Sequence, residues 1–162
     1  VLPSGEIVCD PEHTDSHEDL VDSRGLSDNG RGEFVRVEFL PGDKLEDCEQ
    51  YQLRVDQSST PEWWSDEVFN RTAENLRERV KRMVVRDKRK MLLGGCWIVC
   101  GDAEVHHIRG GRVISIEDSA TVKHIEDNAT VKRIEDSATV EYIGDSATVK
   151  YIGGSATVKY IR

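Results

Sequence analysis

From Ile116 the chain repeats itself every nine residues: IEDSATVKH, IEDNATVKR, IEDSATVEY, IGDSATVKY and IGGSATVKY, followed by Ile161-Arg162. A period so short and strict excludes most folds. Every unit must take the same conformation, and no nonapeptide can bury an apolar face alone, so neighbours must stack. The chemistry of one unit is that of a strand and a turn. Glu-Asp-Ser, Gly-Asp-Ser and Gly-Gly-Ser are turn-formers, because glycine accepts positive φ and Asp or Ser bonds nearby backbone. In Ala-Thr-Val-Lys, Ala and Val share one face while Thr and Lys share the other. Three inward columns are therefore expected: Ala120, Ala129, Ala138, Ala147 and Ala156; Val122, Val131, Val140, Val149 and Val158; and, after a bend, Ile125, Ile134, Ile143, Ile152 and Ile161.

One nonapeptide is short for a complete coil. Two repeats per turn, in a flattened two-sided coil, are the expectation for a β-solenoid built this way. Two degenerate copies lie upstream. VCGDAEVHH (Val99–His107) keeps Val99, Asp102, Ala103 and Val105, and IRGGRVIS (Ile108–Ser115) keeps Ile108 and Val113 but is one residue short. The repeat domain is thus placed at 96–162, with about three and a half coils in a rod on the order of 17 Å long at the usual strand spacing.

Residues 1–95 differ in kind and read as a small α+β domain. Leu2 to Val8 suits a strand. Ser16-His17-Glu18-Asp19 has the form of a capping box and opens a short helix through Leu20 and Val21. Gly30 to Gly32 is read as a loop. Phe34 to Leu40 alternates as a strand should, with Tyr51 to Val55 as its antiparallel partner. Thr60-Pro61 supplies a helix cap and first-turn proline for one long helix over about 61–87, with Trp64, Val68, Ala73, Leu76, Val80, Met83 and Val84 as its apolar stripe. Met91 to Val99 is predicted as one apolar strand leading into the first coil, which the long helix would cover. At the other end Tyr151, Val158, Tyr160 and Ile161 leave an apolar coil exposed, and a second copy is expected to cover it.

Charge narrows the function classes. The net charge of −9 argues against general attraction to nucleic acid or anionic membrane. No apolar run is long enough to span a bilayer. No signal peptide is read, although Val as first residue is compatible with processing. Four cysteines (Cys9, Cys48, Cys96 and Cys100) in a chain of this length suit reduced thiols and a cytoplasmic setting, with a Cys9–Cys48 bridge as the alternative. Between Arg71 and Lys90 nine bases face three acids, whereas residues 1–50 carry −10. A basic helix end bearing Arg79, Arg82, Arg86 and Arg89 is therefore a candidate phosphate-contacting surface. It equally suits internal neutralisation of the acidic half and the preference of bases for helix C-termini.

Sites of chemistry are few. His13, Asp15, His17, Glu18 and Asp19 are metal-ligand types, but the helix start at Ser16 puts His13 outside the turn that would align it with His17. Cys96 and Cys100, followed by His106 and His107, would stand roughly 13 Å apart on an extended strand, too far for one zinc ion. They read instead as small buried residues. No hydrolase elbow, phosphate loop or dinucleotide fingerprint occurs, so no catalytic, cofactor or metal site is assigned and the chain is read as a non-enzyme. Outward ladders of Thr121, Thr130, Thr139, Thr148 and Thr157 and of Lys123, Lys132, Glu141, Lys150 and Lys159 flank a column of His124, Arg133, Tyr142, Tyr151 and Tyr160. The threonine ladder resembles those of ice-binding solenoids, but single threonines flanked by charge, in place of paired threonines, separate it from them.

The SATVKYI repeats, together with Trp63 to Gly95, resemble C-terminal repeats of uncharacterised proteins of gut bacteria and their phages. By repeat logic the array is also similar to pentapeptide-repeat β-solenoids, some of which imitate DNA. It departs from them in a period of nine and in near-neutral charge, eight acids to six bases from Glu117 to Arg162. The absence of a catalytic motif and the uncovered terminal coil lead to the expectation of a non-enzymatic interaction or scaffold protein, self-associating through the solenoid end, with an unidentified protein partner; the resemblance adds only a phage or mobile-element setting. Nucleic-acid binding through residues 71–90 is the alternative.

Overall fold

The structure is a computed structural model that describes residues 1–10, 16–27 and 32–162. It divides into two compact units, Val1–Lys81 and Arg82–Arg162.

In the first unit, helix α1 (His17–Ser23) begins where the capping box placed it: the Asp19 N–H donates to Ser16 Oγ at 3.3 Å. Strands β1 (Val37–Leu40) and β2 (Gln52–Val55) pair antiparallel, with Val37 opposite Val55 and Leu40 opposite Gln52, as alternation predicted. One turn of 3-10 helix, Cys48–Gln50, leads into β2. Helix α2 spans Asp66–Met83. A small cluster of Cys48, Tyr51 and Val80, with Phe39 against it, forms a core here.

Two expectations for this unit need correction. Leu2 to Val8 is not a strand, because Pro3-Ser4 makes a tight turn in which Gly5 N–H donates to Leu2 O at 2.8 Å with Gly5 at φ 82°. The long helix starts late, at Asp66. Pro61 to Trp64 closes a separate turn, and Ser65 is the cap, its carbonyl accepting the Phe69 N–H at 2.9 Å and its hydroxyl the Val68 N–H at 3.4 Å. Gly30 falls outside the described residues.

The second unit is a parallel β-solenoid of two facing sheets. One contains β3 (Val84–Val85), β5 (Cys96–Val99), β7 (Arg112–Ile116), β9 (Thr130–Ile134) and β11 (Thr148–Val149). The other contains β4 (Lys88–Leu93), β6 (Glu104–Arg109), β8 (Thr121–Glu126), β10 (Thr139–Ile143) and β12 (Thr157–Ile161). Successive repeats alternate between the sheets, so each residue stacks on its counterpart in the next repeat but one: Thr121 on Thr139 on Thr157, and Thr130 on Thr148. Two repeats make one coil. Inside, Ala120, Ala129 and Ala138, Val122, Val131 and Val140, and Ile125 and Ile134 are completely buried. Burial of a Val or Ile side chain is worth roughly 1.5–3 kcal/mol, which is how a thin rod holds together.

The solenoid starts earlier than its sequence pattern, and it has about five turns rather than three and a half. Val84 and Val85 pair with Ile98 and Val99, so the chain leaves α2 at Met83 to become the first rung, which also ends the helix short of residue 87. The predicted strand over Met91 to Val99 is two strands. Gly94 and Gly95, both at positive φ, turn the chain from one sheet to the other. Early coils are tighter. Lys88 stacks on Glu104 and Glu104 on Thr121, partners closer in sequence than Thr121 and Thr139 are in the regular array. The missing residue of Ile108–Ser115 is absorbed at Gly110-Gly111. A side chain at Gly111 would strike the Gly94 backbone, so the turns nest only because residue 111 is glycine.

Candidate functional site

The single aromatic column predicted from the nonapeptide becomes two columns, because alternate repeats face opposite ways. Met91, His107, His124, Tyr142 and Tyr160 line up on the even-numbered sheet, while Ser115 and Arg133 line up on the odd. The His107 and His124 rings stack with centroids 4.8 Å apart and 12° between planes, and Tyr142 tilts against His124 at 5.7 Å. Glu126, two residues after His124 on the same strand, is half-buried, its side chain 17% exposed. Its Oε2 lies 3.2 Å from His107 Nδ1 and accepts from Arg109 Nε and Nη2 at 3.3 Å. Burial pushes this carboxyl up, but the hydrogen bonds from His107 and Arg109 outweigh it and hold Glu126 below the usual carboxylate range. The cluster bridges two coils and was not singled out from sequence.

The turns carry a second ladder. Asp118, Asp127, Asp136 and Asp145 all take φ of 56–58°, a left-handed conformation that costs an ordinary side chain about 1–2 kcal/mol. Three of the carboxylates reach back one coil: Asp118 Oδ2 accepts the Gly101 N–H at 2.8 Å, Asp136 Oδ2 the Asp118 N–H at 3.2 Å, and Asp145 Oδ2 the Asp127 N–H at 3.4 Å. At these three positions the aspartate thus ties one coil to the one before it.

The residues proposed as an end surface do gather on one coil. Tyr151 (52% exposed), Ile152 (43%), Tyr160 (70%) and Ile161 (66%) are open, and Val158 is partly buried against the core. One coil earlier the equivalents of the two isoleucines, Ile134 and Ile143, are 0% and 4% exposed. Residues 146–162 contain Lys150, Lys159 and Arg162 and no acid, but Lys159 is paired with Glu141 of the preceding coil at 3.4 Å, so the excess of positive charge at this edge rests on Lys150 and Arg162.

The four arginines of the predicted basic helix do not share a helix. Arg79 is on α2 in the first unit, where its guanidinium donates to Cys9 Sγ and to Ile7 O. Arg82 is in the last turn of α2, Arg86 follows β3, and Arg89 is on β4, paired with Asp87 at 2.8 Å. The helix ends before the last two. Nearby bases are also paired, Lys81 with Glu78 at 2.9 Å and Lys88 with Glu104 at 2.9 Å.

The His13–Asp19 metal reading lies partly outside the described residues, and the Cys96–His107 reading does not assemble. His13 and Asp15 lie outside the described residues, and His17 is occupied, its Nδ1 3.1 Å from Asp56 and its Nε2 3.1 Å from Val37 O. Cys96 and Cys100 are buried, and His106 is exposed. Among the described residues no group of three His, Cys, Asp or Glu side chains is placed to hold an ion. All four cysteines are free, so Cys9 and Cys48 form no bridge. Burial, followed by Glu49, pushes the Cys48 thiol up. Among the described residues no helix is long and apolar enough to cross a membrane. Comparison with known protein families, curated proteins and solved structures gives no match.

Proposed function

We propose that this chain is a non-enzymatic interaction or scaffold protein, associating with a second copy through the coil that carries Tyr151, Val158, Tyr160 and Ile161. The observation behind this reading is the contrast between successive coils: the isoleucine column is sealed at Ile134 and Ile143 and open at Ile152 and Ile161. Strands β11 and β12 also offer an unpaired backbone edge, which pairs readily with another strand. Every junction inside the array is one repeat stacked on a near-copy of itself, so the open face suits the same chemistry. A further repeat joined to Arg162 would cover the same face, so the test uses the 162-residue chain as it stands.

Sedimentation at micromolar concentration should give a dimer, and Tyr160→Ser with Ile161→Ser should give a monomer. Because Lys150 and Arg162 bring like charges to a symmetric junction, added salt should tighten association. A pure monomer across the concentration range would contradict the reading. The nucleic-acid alternative has its own signature: salt-dependent retention on DNA or RNA, abolished by charge reversal at Arg82, Arg86 and Arg89. The phage and cytoplasmic settings rest on the sequence alone.

A further inference from the structure

Apolar side chains in the first unit converge on a cavity instead of on one another. Helix α1 buries none of its residues, and neither does β1. Leu20, Val21, Val37 and Leu76 are all half-buried and line a common cavity of about 510 Å³. The second unit packs the same residue types to complete burial, so the opening is local to this site and is not a looseness of the whole chain. A volume of this size falls in the range of small-molecule pockets, and its apolar wall is the usual lining of one.

The polar groups in the wall decide the ligand class. Cys9 is bonded by Arg79, His17 by Asp56 and Val37 O, and Glu38 by Arg54. Asp10 and Arg36 are engaged as well. Among the described residues the charged groups in the wall thus have partners within the protein, the Val1 ammonium through Val35 O at 2.8 Å. In that wall only Arg36 Nε is a buried side-chain donor without a hydrogen bond. A charged ligand would have to compete with those partners. What the described wall mainly offers is apolar surface. We infer that this cavity binds a small, uncharged, predominantly apolar molecule.

Nile red, a neutral apolar dye, supplies the probe for the full chain. It should bind saturably at one per chain, be displaced by 1-decanol, and resist displacement by decanoate or decylamine at the same concentration. Val21→Trp, which fills the cavity, should weaken binding tenfold or more while the far-ultraviolet spectrum is kept. Tyr160→Ser with Ile161→Ser should leave binding unchanged, which separates this site from the exposed coil. Should Val21→Trp not fold, methyl resonances of Leu20, Val37 and Leu76 in the unaltered chain should shift on adding 1-decanol. Shifts confined to the solenoid, or dye binding lost in the Tyr160/Ile161 variant and kept in Val21→Trp, would overturn the inference. Equal displacement by decanoate would overturn the uncharged class.

Discussion

The two units solve the problem of burying apolar surface in opposite ways. The solenoid has one cross-section and repeats it, so Ala, Val and Ile are sealed by the coils above and below, and the cost of an edge is met only at its ends. Among its described residues the first unit joins two α-helices, a two-stranded sheet and irregular segments, and its apolar side chains are mostly half-buried, many of them around a cavity. Periodicity therefore gives a small core high completeness, while irregular topology leaves room that a ligand can use.

Several substitutions would break or sharpen this contrast. The largest effect belongs to the solenoid interior: Ile125→Ala should cost about 2–5 kcal/mol in denaturant unfolding, the range for emptying a sealed site. Val37→Ala in the first unit should cost about 1 kcal/mol or less, because its surroundings are already open. Equal costs would remove the distinction. Next comes Gly144→Glu, expected to cost about 1–3 kcal/mol because the Tyr142 ring occupies the space of the new side chain. Adding Tyr142→His should restore most of that loss, since His124 already accommodates Glu126 in the same setting.

Acid should act through Glu126. Its folded-state pKa is below the unfolded one, so its contribution is full above the unfolded value, about 4.3, and disappears as pH falls through the folded value. Solenoid stability should fall in that window by less in Glu126→Gln than in the parent chain. Smallest of all, deletion of residues 134–151, one full coil, should leave the fold and the far-ultraviolet spectrum intact, because Arg133 then joins Ile152 in phase. Loss of soluble expression would show that the coils are not interchangeable.

The sequence made the regular coils legible because one nonapeptide states which residues face inward and the next repeats it. The first coils were hidden for a physical reason: Arg89 and Trp97 stand in the register positions that Val takes later, and the coil is shorter than those that follow. The split of the aromatic column followed from the two-sheet coil but needed the register to be seen. A further signal was present unread. Glu follows His124 and Arg133 two places on, at Glu126 and Glu135, whereas Gly follows Tyr142 and Tyr151, at Gly144 and Gly153. Arg133 lies 3.4 Å from Glu135, while each tyrosine ring fills the place of the missing carboxylate side chain. In the first unit the capping box and the β1–β2 pair could be read locally. The cavity could not, because it depends on segments far apart in sequence meeting without filling the space between them.

The stacking of each repeat on the next but one carries the rest, and it can be measured directly. In a Cys9→Ser background, spin labels at Thr121→Cys and Thr139→Cys should sit on adjacent strands about 5 Å apart at the backbone and give strong dipolar broadening. Labels at Thr121→Cys and Thr130→Cys, on opposite sheets, should not. Broadening in the second pair and none in the first would mean that each nonapeptide stacks on the one directly after it, and the two-sheet coil would be wrong.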